Sequence, residues 1–245
     1  MYKLNDRAEK RREVYRVFQR VAKGYDKANV RISLGQQEAW KNRLVRTAVP
    51  DGIPAKELKL LDVCCGTGDI ALMMAACYPG AQITGIDFSE AMLQEARKKL
   101  KGLSGVRLLN GDAEHLPFTD NSFHAAAISF GLRNTTDYRR VLREMYRVIK
   151  PGGSICILDS FLPENRFVRP FYRIYFDLLM PLIGGGIRNR KAYRLLIETT
   201  KTFLSRNELK ALMRETGLKQ IRTKSSMFGA SVLLRGMKIR SKEES

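Results

Sequence analysis

Histidine occurs twice and cysteine four times in 245 residues. The cysteines are Cys64, Cys65, Cys77 and Cys156. No C-x-x-C pair exists among them, which argues against a zinc site, and no metal centre is expected. They lie in apolar surroundings and read as buried free thiols of a reducing compartment. Acids are scarce beside bases: 25 Asp and Glu stand against 44 Lys and Arg, a formal charge of +19. Such a surface favours anionic partners (nucleic acid, acidic lipid or a polyanionic ligand) or serves solubility alone. Long apolar runs are missing too. The most apolar stretch, Ile174 to Ile187, contains Asp177 and Pro181 and is shorter than the roughly 20 residues of a spanning helix. The charged segment Lys3 to Lys23 carries no apolar core of a signal peptide. The expectation is a cytosolic protein, with contact to a membrane surface left open. No repeat or low-complexity linker divides the chain, so it reads as one domain over 1–245.

Hydrophobic spacing divides that domain in three. Residues 1–50 read as a helical cap: Val14, Phe18, Val21, Ala22 and Tyr25 recur at helical spacing, and a second helical stretch covers Gln36 to Ala48. From Leu58 short apolar runs alternate with helical ones. Strands are expected at Leu60 to Cys64, Gln82 to Ile86, Val106 to Asn110, Phe123 to Phe130 and Ser154 to Ser160, the last entered by a Pro151-Gly152-Gly153 turn. Helices are expected at Asp69 to Cys77, Ser89 to Leu100 and Tyr138 to Ile149. This alternation predicts an α/β fold with a mostly parallel central sheet flanked by helices. Residues 161–204 read as a helical insertion. A helix from Ser205 to Thr216 and two strands, Lys219 to Ser225 and Ser231 to Arg235, close the chain.

Chemistry gathers at the strand ends. The first strand runs out in Asp62-Val-Cys-Cys-Gly66-Thr67-Gly68-Asp69. Glycines there let the backbone turn sharply and approach a ligand in the crevice of an open α/β sheet. Asp62 can hold this loop and face a cationic amino-acid group. Asp87 ends the second strand, where a carboxylate can accept from both ribose hydroxyls, with Phe88 beside it and Ser89 as an N-cap. Asp112, after the third strand, can accept from an adenine amine, and the Ala113 backbone can donate to a ring nitrogen. Three acids at successive strand ends suit adenosine joined to a charged amino acid. Each acid alone could instead be a cap or a loop polar. Ala71 holds the third fingerprint position, which the dinucleotide motif tolerates, so spacing alone leaves NAD open.

The run Leu61-Asp-Val-Cys-Cys-Gly-Thr-Gly-Asp69, then Gly85-Ile-Asp87 and Gly111-Asp-Ala-Glu-His-Leu-Pro-Phe118, resembles the class I, Rossmann-like methyltransferases that use S-adenosylmethionine (SAM). Ser129-Phe-Gly-Leu-Arg-Asn134 and Leu142-Arg-Glu-Met-Tyr-Arg-Val-Ile-Lys-Pro-Gly-Gly153 resemble the ubiquinone/menaquinone-biosynthesis C-methyltransferases, the demethylmenaquinone methyltransferase-like family. Val17-Phe18, Tyr25-Asp26, Asn29, Ser33-Leu-Gly35 and Pro181-Leu-Ile-Gly184 extend the likeness over nearly the whole chain. It implies SAM contacts at Thr67, Asp87, Asp112, Ala113 and Ser129; the strand-end reading adds Asp62, Gly66, Gly68 and Phe88 to the expected cofactor site. It also implies acceptor-facing Arg133 and Tyr193, with Tyr25 on a helix that closes over the cofactor, and makes 161–204 an acceptor lid. Arg188-Asn-Arg-Lys-Ala-Tyr-Arg-Leu-Leu196 departs from the family's Asp-Ala-Asp-Ser-Tyr-Arg-Tyr-Leu, which leaves the exact acceptor open.

The expected reaction is methyl transfer from SAM to a ring carbon of a prenylated quinol, demethylmenaquinol first. Such a carbon becomes nucleophilic when the neighbouring hydroxyl loses its proton. Arg133 is expected to stabilise the resulting phenolate, directly or through water, with Tyr193 orienting the hydroxyl. Arg166, Arg169 and Arg173, interleaved with Phe167, Phe171, Tyr172, Tyr175 and Phe176, suit an anionic membrane surface that holds a prenylated acceptor, or are simply a lid helix with an aromatic core face. A homodimer is compatible with the chain. His115 and His124 receive no catalytic role. The rivals are a methyltransferase of another small aromatic metabolite, a SAM-binding protein without catalysis, and an RNA methyltransferase. Against the last, no Asn-Pro-Pro-Tyr motif or separate RNA-binding module occurs, so no nucleic-acid partner is expected.

Overall fold

A computed structural model of the chain describes residues 6–163 and 190–240, except the side chains of 190–194 and 196. Three helices come first: α1 (Arg7–Val21), α2 (Tyr25–Ile32) and α3 (Gln37–Ala48). Asp6 caps α1 by accepting from the Ala8 N–H at 2.9 Å. The helical spacing read from Val14 through Tyr25 crosses a break. The chain leaves α1 at Ala22, and Gly24 stands as the N-cap from which Tyr25 opens α2. A glycine inside a continuous helix would cost backbone entropy that a break avoids.

The sheet follows, with β1 (Lys59–Val63), α4 (Asp69–Cys77), β2 (Gln82–Asp87), α5 (Glu90–Lys99), β3 (Val106–Asn110) and β4 (Phe123–Ser129). After β4 come α6 (Tyr138–Val148) and β5 (Ile149–Ser160), then α7 (Arg190–Lys201), α8 (Arg206–Glu215), β6 (Lys219–Ser226) and β7 (Ser231–Met237). The strand order is β3-β2-β1-β4-β5-β7-β6. The first five strands pair in parallel, and β7 runs antiparallel to both β5 and β6.

Apolar pattern explains the layering. β1 is buried from Leu60 to Val63 because helices cover both faces of a parallel sheet. Leu61, Val63 and Ile128 face α6 and α8, through Leu142, Met145 and Leu209. Leu60 and Ala127 face α3 and α4, through Leu44, Ile70 and Met74. In α6 the buried Val141, Leu142, Met145 and Val148 form one stripe, and Arg139, Arg140 and Arg143 point to water.

Pro151-Gly152-Gly153 does not precede the strand as a separate turn. It lies within β5, as a bulge where the register jumps from Phe123↔Ile149 to Ala125↔Ser154. The Gly152 N–H bonds the Lys238 carbonyl at 2.6 Å, and the Lys238 N–H returns to the Gly153 carbonyl at 2.9 Å, so the bulge keeps backbone partners. Of the insertion read over 161–204, α7 is described. The stripe containing Arg166, Arg169 and Arg173 lies outside the described residues. Among the described residues no helix is long and apolar enough to cross a membrane.

Candidate active site

The carboxyl ends of β1, β2 and β4 are level, since Val63 stands opposite both Ile86 and Ile128. A cleft of about 750 Å³ opens above them. The loop after β1 forms its floor. Cys64, Gly66 and Gly68 take left-handed backbone conformations, with φ of 55°, 54° and 82°. Gly68 needs to be glycine twice over: a Cβ there would stand 2.9 Å from Leu100 Cδ1 and 3.2 Å from Ala96 Cβ. A Cβ on Gly66 would meet nothing within 4 Å, so its bare backbone faces the open cleft.

Asp62 and Asp87 divide the work on this loop. Asp62 is buried beneath it and accepts from the Ala71 N–H at 3.1 Å. It does not line the cleft, and burial pushes its carboxyl well above the ordinary range. Asp87 does line the cleft. Its two oxygens accept from the Gly66 N–H at 2.8 Å and the Ser89 N–H at 2.9 Å. Burial raises its pKa to about 6 against the pull of those bonds. Each oxygen keeps acceptor capacity for a further hydrogen bond. Ser89 caps α5 as expected, accepting from the Met92 N–H.

Phe88, Asp112, Ala113 and Ser129 complete the expected cofactor side and all line the cleft. Asp112 already meets Arg11 of α1 at 2.7 Å. The Ser129 hydroxyl is buried without a hydrogen-bond partner among the described residues. Thr67 stands back from the cleft surface and donates its hydroxyl to Asp26 of α2 at 2.6 Å. These groups fit SAM: exposed glycine backbone, a carboxylate with spare lone pairs, and an orphaned hydroxyl beside them.

Apolar groups share the same cleft: Val14 and Phe18 of α1, Tyr25 of α2 and Phe130 line it. Tyr25 packs edge-on against Phe18, with ring centroids 5.9 Å apart. Burial raises the Tyr25 pKa and keeps its phenol protonated. Arg133 is not on the cleft surface. It lies buried behind the Phe130 to Asn134 wall, in an ion pair with the wholly buried Asp159. Tyr193 falls on α7, and its side chain lies outside the described residues. His124 accepts from the Lys59 N–H at the far, amino end of the strands, and His115 pairs loosely with Asp112 at 3.7 Å.

Several contributors escaped the sequence reading. Arg11, Val14 and Phe18 make α1 a cover for the cleft, though the apolar pair looks like ordinary core spacing. Asn134 lines the cleft with Oδ1 buried and without a partner among the described residues; its place next to Arg133 was the available signal. Glu114 accepts from the N–H groups of Thr136 at 2.8 Å and Asp137 at 3.0 Å. Lys10 clasps the same segment from α1, through the carbonyls of Arg133 at 3.1 Å and Thr135 at 2.6 Å.

The chain is 38% identical over 237 residues to a demethylmenaquinone methyltransferase of Staphylococcus aureus, spanning 96% of this chain and 97% of that protein. A SAM-dependent methyltransferase of Thermotoga maritima superposes with a TM-score of 0.65 at 23% identity, over 91% of this chain and 99% of the other. A phosphoethanolamine N-methyltransferase of Haemonchus contortus, solved with S-adenosylhomocysteine, superposes with a TM-score of 0.63 at 14% identity, over 82% of this chain and 53% of the other. These two likenesses show the fold. The sequence model of the ubiE/COQ5 methyltransferase family matches residues 4–238. The chain therefore belongs to the ubiE/COQ5 methyltransferase family, and it is a SAM-dependent methyltransferase.

Proposed function

We infer that this protein methylates a ring carbon of a prenylated quinol, with demethylmenaquinol as the acceptor that its relatives favour. The observation that carries this reading is the mixed lining of one cleft. It brings acids, bare backbone and the Ser129 hydroxyl, which has no partner among the described residues, together with Val14, Phe18, Tyr25 and Phe130, apolar groups suited to an aromatic ring.

SAM, when bound, supplies a methyl carbon made electrophilic by its sulfonium. Asp87 would hold the ribose hydroxyls, Gly66 and Ser129 the amino-acid end, and Asp112 with Ala113 the adenine. Asp62 serves from beneath, by fixing the loop. On the acceptor side the residues orient the ring and exclude water, and orientation alone can supply about 7–11 kcal/mol of a barrier. Arg133 stabilises the acceptor's oxygen as it becomes anionic. Because the guanidinium stands behind the wall, a bridging water is the natural link. Tyr25, held protonated, can donate to the same oxygen, and Tyr193 would orient it from the lid.

The anionic membrane surface and a location on its cytoplasmic side are part of this reading. The charge of +19 supports them. The test is transfer from methyl-labelled SAM to a short-tailed demethylmenaquinol under reducing conditions, followed by location of the label. Label on a ring carbon supports the reading. Label on oxygen, or none despite SAM binding, overturns it.

A further inference from the structure

Asp159 stands near the end of β5, one residue beyond the Leu158 that pairs with Ser129. It is wholly buried. One of its oxygens takes the Arg133 guanidinium, and the other accepts the Arg133 backbone N–H at 3.2 Å. Burying two ions brings no assured gain in stability, because desolvation offsets their attraction. A buried pair at the ligand edge of the sheet therefore calls for a reason other than folding.

The guanidinium has a donor left over. Its Nε is buried with no partner among the described residues. Ser129 Oγ and Asn134 Oδ1, on the same stretch of chain, are likewise buried and unpartnered. Around them the segment is tightly held. The Phe130 ring centroid lies 5.7 Å from the Arg133 guanidinium carbon, Trp40 packs against that ring at 6.4 Å, and Lys10 clasps the Arg133 and Thr135 carbonyls. Held polar groups left unsatisfied in a dry site are what an incoming ligand completes.

We propose that Asp159 is a positioning residue for methyl transfer: it locks the Arg133 guanidinium in one orientation and leaves Nε for the acceptor's hydroxyl oxygen, directly or through one water. The proposal rests on the quinol reading above. In it the carboxylate partly offsets the guanidinium's charge but fixes its orientation, so that Nε is the donor left for the acceptor's oxygen.

Asp159→Asn keeps the shape and loses the charge that holds the guanidinium. It is assayed with two acceptors: the parent quinol, and an analogue whose electron-withdrawing ring substituent leaves the hydroxyl ionised at the assay pH. The expected result is a kcat lower by about 100-fold on the parent quinol, the scale of losing one oriented oxyanion donor, with KM for SAM within about twofold. On the pre-ionised analogue the loss shrinks to about fivefold, because the step Arg133 assists is already made. Asp159→Glu recovers about tenfold of that 100-fold loss on the parent quinol. If D159N does not accumulate as folded protein, D159E is read in the same way, with a deficit of about tenfold confined to the parent quinol. Equal losses on both acceptors mean a structural role and overturn the proposal, as does an unchanged kcat. A wild-type protein inert toward both acceptors overturns the quinol reading and this role with it; an active wild type with an indifferent variant overturns this role alone.

Discussion

The Thr67 hydroxyl donates to Asp26 at 2.6 Å and so ties the loop after β1 to α2. Lys99 joins the same cluster, meeting the other Asp26 oxygen at 2.7 Å and pairing with Asp69 at the start of α4. Lys41 of α3, itself buried, holds Asp69 from the other side at 2.7 Å. The helical cap is therefore fastened to the cofactor loop by charge. Asp26→Ala should raise KM for SAM by about tenfold, the scale of one charged hydrogen bond, with little change in kcat. Limited proteolysis should cut the first 30 or so residues faster in the variant, a consequence of looser local closure.

Asp87 predicts a pH dependence. Its pKa is raised to about 6, mainly by burial. It must be ionised to accept two ribose hydroxyls, so SAM affinity should fall about tenfold per pH unit below that value. For the ligand-free protein the sign is opposite. A carboxyl whose folded pKa exceeds its unfolded one, about 4, contributes stability at low pH that is lost as pH rises through 6. Calorimetric titration with SAM between pH 5 and 8 checks the first statement, and Asp87→Ala should abolish the dependence.

Ser129→Ala should separate stability from binding. The hydroxyl is buried without a partner among the described residues, so its removal should leave Tm unchanged or slightly raised. SAM should bind about tenfold more weakly, through loss of one hydrogen bond. A lower Tm with unchanged affinity would mean that the hydroxyl serves the fold.

Gly68→Ala tests the loop itself. Its φ of 82° and the nearby Leu100 and Ala96 side chains both oppose a Cβ. A loss of about 1–3 kcal/mol in unfolding free energy is expected from the backbone alone. Denaturant melts of the variant measure it.

How much of this could be read before the structure depended on range along the chain. Asp87, Asp112 and the Gly66 to Gly68 turn were legible because each sits where an apolar run stops, a position that parallel topology carries to one edge of the sheet. The Ser89 cap was legible for the same local reason. Contacts between distant segments were not. Phe18 and Val14 have the spacing of a core face, and spacing does not say whether that face meets a sheet or a cleft. Asp159 lies 26 residues beyond Arg133, and only the register of β4 against β5 brings them together. Nor does strand-end position say which way a side chain faces: the carboxylate of Asp62 lies beneath the loop, on the Ala71 N–H, and not in the cleft.

The most direct test of the account is the rate of methyl transfer from SAM to short-tailed demethylmenaquinol by the wild-type protein and by Arg133→Ala. Ring methylation by the wild type is expected, with a loss of about 100-fold or more in kcat in the variant and SAM binding retained. Equal rates in the two proteins would remove Arg133 from the chemistry. No transfer by a wild type that binds SAM would contradict the quinol assignment itself.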